Sequence, residues 1–83
     1  MIHMNVTAIV NKLSDYLDQE LHYTRVHLIN EADPIARDRV CWLCLQRCLD
    51  ACQYAEMLGV RYETIEALYN AQREKLQLLE AGA

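Results

Sequence analysis

The stretch Asn30-Glu31-Ala32-Asp33-Pro34 decides the fold. Asp33 suits a helix N-cap, because its carboxylate accepts a hydrogen bond from a backbone N–H that the first turn leaves without a partner. Pro34 suits the first helical position, where its missing N–H costs nothing and its fixed φ is already helical. A helix therefore starts at 34, and the segment before Asn30 stops there. The chain holds one proline and two glycines. The interior glycine, Gly59, fits the left-handed residue that closes a helix. A sheet of short strands needs far more corners than these residues supply. The chain is read as all-α, with helices at about 6–29, 34–58 and 62–80 in a single domain over 1–83.

Apolar spacing agrees on both sides of that punctuation. Before it, Val6, Val10, Leu13, Leu17, Leu21, Thr24 and Leu28 recur at steps of three and four, one stripe of a helix. Asn5 is its expected N-cap, and Ile9, Tyr16, Tyr23, Val26 and Ile29 widen the apolar surface. After it, Val40, Cys41, Cys44, Leu45, Cys48, Leu49, Ala51, Cys52 and Ala55 share a face. The third stripe is Ile65, Leu68, Tyr69, Leu76 and Leu79, with Gln72 as an interruption. Residues 1–4, including His3, carry no weight here, and Ala81-Gly82-Ala83 is read as a fraying end.

The first two helices, joined by a short loop, should be antiparallel neighbours about 35 Å long. Two rods cannot enclose a core, so the third should cover them. The expectation is a three-helix bundle, or a long helical hairpin plus a third helix. Trp42, Leu43, Tyr54 and Met57 on helix 2, with Val26 and Ile29 on helix 1, fall off the main stripes. A monomer would expose several of them, and a contiguous apolar patch usually marks an interface, so a homodimer is expected.

Composition narrows the function classes. The net charge is −4 over 83 residues and no segment is basic, so no broad footprint for nucleic acid or an anionic membrane exists. No apolar run reaches the roughly 18 residues that a bilayer span needs. The N-terminal stretch lacks the pattern of a secretory signal, and a cytoplasmic protein is expected.

Cys41, Cys44, Cys48 and Cys52 are the unusual constellation. At about 100° per residue they fall within an arc of about 80°, shared with Leu45, Ala51 and Ala55, so all four should point into the core. Buried free cysteine acts as a small hydrophobe, and that structural reading is preferred. Two others stay open. Cys44-Cys48-Cys52 resembles a fragment of the Cys-rich four-helix bundles that store copper(I), a resemblance confined to residues 41–52. It implies soft-metal binding, of copper(I) or zinc, through the thiolates. Helices 1 and 3 carry no cysteine, so a dimer apposing two copies of helix 2 would supply the remaining sulfurs. The last reading is redox sensing or an intersubunit disulfide.

Residues 55–65 resemble the core of helix-turn-helix DNA-binding domains. Ala55, Gly59 and Ile65 take the small, turn and aliphatic positions, and Tyr54, Leu58, Val60 and Leu68 the apolar ones. The resemblance implies a transcriptional regulator using residues 55–75. Against it, Tyr62, Glu63, Thr64 and Glu66 open the would-be recognition helix, and carboxylates there would face phosphates.

Catalytic signals are weak. His22 and His27 are about 140° apart on their helix and cannot share a ligand. Asp15, Asp18 and Glu20 with Lys12 read as a solvated face. No phosphate loop, metal-binding Glu-x-x-His or nucleophile elbow is present. The expectation is a non-enzymatic helical interaction module without a cofactor. It would pair with itself and act on a larger protein as an adaptor, chaperone-like partner or inhibitor. Tyr23, Trp42, Tyr54 and Tyr69 are the candidate contact residues, because aromatics concentrate interface energy.

Overall fold

The computed structural model describes residues 5–82; His3 and Ala83 lie outside the described residues. Three helices follow in order: α1 Val6–Ile29, α2 Pro34–Met57 and α3 Tyr62–Glu80, with no strand among the described residues. The domain is a rod of 49 × 20 × 16 Å. Each helix touches the other two, and the α1–α3 seam is the thinnest.

The caps are local chemistry. Asn5 Oδ1 accepts from Thr7 N at 2.9 Å, and Asp33 Oδ1 accepts from Ile35 N at 3.4 Å, with Pro34 opening α2. α2 ends one residue before the sequence expectation, because Leu58 is its C-cap. Gly59 N donates to Glu56 O at 3.0 Å and Val60 N to Ala55 O at 3.1 Å. That paired closure needs a left-handed residue between the helix and Val60, and Gly59 sits at φ +110°. Val60 then turns back into the core beside Ala55. At the end of α3, Ala81 N donates to Gln77 O at 3.0 Å and Gly82 N to Leu79 O at 3.3 Å.

The first corner has a further brace that the sequence did not signal. Arg37 Nη1, from the first turn of α2, donates to Leu28 O at 2.7 Å and Glu31 O at 3.0 Å. Leu28 O also accepts from Glu31 N at 3.3 Å, and the guanidinium adds a second, shorter bond there, where a cation also suits the dipole of α1.

The core differs from the expected stripes in two places. On α1, Ile9 is buried while Val6 is exposed and Val10 only half-buried. Ile9 lines the α1/α2 cleft together with Leu58, the C-cap of α2, so α2 ends at the level of Ile9, about one turn short of Val6. On α3, Gln72 is not an interruption. It is 2% exposed and sits in the core between Ile65 and Leu76.

Candidate functional site

All four cysteines point inward, as the arc requires. Cys44, Cys48 and Cys52 are fully buried, Cys41 nearly so, and all are free thiols. They form a polar thread through an apolar core. Cys44 Sγ lies 3.8 Å from Glu20 O, donating toward it. Gln72 Nε2 donates to Cys48 Sγ at 3.5 Å and, more strongly, to Leu17 O at 2.7 Å. One amide therefore ties α3 to both α1 and α2. Every buried side-chain nitrogen and oxygen among the described residues has a partner.

The thiols differ in acidity. Hydrogen bonding to Cys48 pulls the Cys44 thiol down to about 7 against its burial, with Thr24 assisting. Cys48 is pushed up in turn, by its bond to Cys44 and by burial. Burial, then the Glu80 carboxylate, raises Cys41 to about 11, and burial raises Cys52. A low pKa marks a nucleophile only where a reagent can reach the sulfur. Cys44 has no exposed surface. The sulfurs are strung along one helix, and among the described residues no three Cys, His, Asp or Glu side chains converge as a metal site would need.

The helix-turn-helix resemblance meets a different geometry. A recognition helix crosses its partner at about 90–120°. Here α3 runs back along α2: Tyr62 starts beside Glu56, and Glu80 ends beside Asp38 and Cys41. The opening of α3 is acidic. Tyr62 Oη donates to Glu66 at 3.0 Å, and Arg61 is paired with Glu63 at 3.6 Å. Glu20 is also not part of a free acidic face; it holds Arg47 of α2 at 2.9 Å.

The four aromatic candidates do not form one patch. Tyr23 and Tyr54 are exposed on the side of the hairpin away from α3. Trp42 is also exposed, but twelve residues before Tyr54, which places it about 120° around α2, toward α3. Tyr69 is half-buried against the core and lines a groove of about 260 Å³ between α2 and α3. The larger opening lies between α1 and α2. It is a mostly apolar cleft of about 320 Å³ bounded by Ile9, Lys12, Leu13 and Tyr16 on one side and Ala51, Tyr54, Ala55 and Leu58 on the other. Met57, which does not line this cleft, is 82% exposed.

No helix among the described residues is long and apolar enough to cross a membrane. Comparison with known proteins finds no matching family model, no matching curated protein and no matching solved structure.

Proposed function

We propose that this chain is a non-enzymatic helical interaction module that pairs with itself and docks on a larger protein. The observation that carries this reading is the surface left over once the core is complete. Tyr54 at 62%, Tyr23 at 64%, Trp42 at 57% and Met57 at 82% exposure are large side chains that the three-helix core does not use. Leaving a large apolar side chain in water forgoes about 1.5–3 kcal/mol relative to burying it. Such side chains on two sides of α2, Tyr54 at the rim of the α1/α2 cleft and Trp42 about 120° away, are best explained by partners.

The titratable groups support the non-enzymatic part. The one thiol with a lowered pKa is sealed in the core, and His22 and His27 are exposed on α1.

Matched affinity capture tests the docking part of the reading, with wild type and Trp42→Arg as baits from the same lysate, since Trp42 is 57% exposed. A protein retained by wild type and lost by the variant is the expected result. Identical captures by both baits, with the variant folded by circular dichroism, would count against the Trp42 side of α2 as the docking face.

A further inference from the structure

The outer face of α2 carries a pattern that reads the same in both directions. Val40, Leu43, Arg47, Asp50, Tyr54 and Met57 follow at steps of 3, 4, 3, 4 and 3. Steps of this kind keep side chains on one seam, as in helices that pack side by side. The seam is free: Val40 is half-buried, and the other five are exposed. It borders the α1/α2 cleft through Tyr54. The order along it is apolar, apolar, cation, anion, apolar, apolar.

We propose that the occupant of this face is a second copy of the chain, with α2 antiparallel to the partner's α2 about a two-fold axis between Cys48 and Leu49. This rests on the self-pairing part of the function proposed above, and names its face and register. Reversing the seam puts apolar on apolar and exchanges the two charges. Leu43 then meets the partner's Tyr54, Val40 meets the partner's Met57, and Arg47 meets the partner's Asp50, each contact made twice. A parallel pairing would set Arg47 on the partner's Arg47. Within one chain Asp50 forms no ion pair among the described residues. Arg47 gives its Nε to Glu20, which leaves the outer nitrogens of the guanidinium for a second carboxylate. Tyr16 of α1 lines the adjoining cleft opposite Tyr54.

The seam is about 26 Å long, since α-helices rise about 1.5 Å per residue. Across a body 20 Å wide this gives roughly 500 Å² per copy, at the small end for a stable pair, so association is expected in the micromolar range.

Sedimentation equilibrium from about 1 to 300 µM, a range spanning that affinity, tests the proposal with three proteins. Wild type should be a dimer at the upper end. Asp50→Arg sits at an exposed site with no partner in the fold, so it should fold normally, and it should weaken self-association at least tenfold. Arg47→Glu should do the same. Mixed in equal amounts, the two variants should form a one-to-one heterodimer by native mass spectrometry, because each carries the charges the other lacks. Should Arg47→Glu unfold through loss of its Glu20 contact, Tyr54→Arg replaces it as the second dissociating variant. A wild type that stays monomeric at the top concentration overturns both this proposal and self-pairing. A dimer that Asp50→Arg and Tyr54→Arg leave intact overturns this face and register alone.

Discussion

Replacing Gln72 with glutamate tests whether one donated hydrogen bond pins α3 to the hairpin. The wild-type amide is 2% exposed and gives its N–H to Leu17 O at 2.7 Å. In Gln72→Glu an oxygen faces that carbonyl. Ionised, it sets acceptor against acceptor with no water to help; protonated, it can donate as the amide did. Burial of this kind raises a carboxyl by about 3–4 units, from about 4.3 to about 8. A group whose folded pKa is raised favours the native state fully below its unfolded pKa and loses that support as pH rises. The penalty therefore grows by about 1.4 kcal/mol per pH unit, reaching about 2 kcal/mol at pH 6 and about 5 kcal/mol at pH 8. A domain of this size holds only about 4–12 kcal/mol in total, so at pH 8 the variant should have lost about 40% or more of its stability. Urea unfolding at pH 6, 7 and 8, followed by far-UV circular dichroism, measures this against wild type. Gln72→Met, which keeps the shape without the donor, should cost about 1–1.5 kcal/mol at every pH. A penalty for Gln72→Glu that is the same at pH 6 and pH 8 would refute the reasoning.

Other outcomes follow from the same structure. Cys41 is raised from 9.0 to about 11, so its neutral form is favoured by folding and that stability should be lost as pH rises from 9 through 11, by about 2–3 kcal/mol; Cys41→Ala should unfold with a shallower alkaline slope than wild type, and equal slopes would contradict it. Gly59→Ala meets no atom within 4 Å, so its cost is backbone strain at φ +110° alone, about 1–2 kcal/mol, read as a lower Tm; an unchanged Tm would mean the corner tolerates another conformation. Native thiol labelling should be slow for all four cysteines and should accelerate in step with any loss of global stability, as for the variants above; fast labelling of Cys44 in stable protein would show a path to the core that the packing does not contain.

Much of the helical frame was legible in the residues. Asn5, Asp33-Pro34 and Gly59 place helix ends because capping and left-handed closure act within four residues of chain. The inward cysteine row was legible because direction around a helix follows from residue number alone. Function was less so: the aromatic candidates were chosen by type, and type does not say which side of a bundle a residue faces. Gln72 illustrates the limit. Its polarity argued for a break in the stripe, and only the carbonyl of Leu17, 55 residues away in sequence, makes its burial favourable. Arg37 under the first corner and Glu20 on Arg47 are the same kind of feature, a charge placed by a partner on another element. Val6 and Ile9 exchange roles because α2 ends at the level of Ile9, a matter of where two helices end relative to each other. The sequence by itself thus determined the three rods and the side each turns inward, since those are short-range properties of one helix. How far the rods overlap, which polar groups meet inside, and which apolar side chains stay in water were decided only by tertiary packing, because each depends on the relative position of residues far apart in the chain.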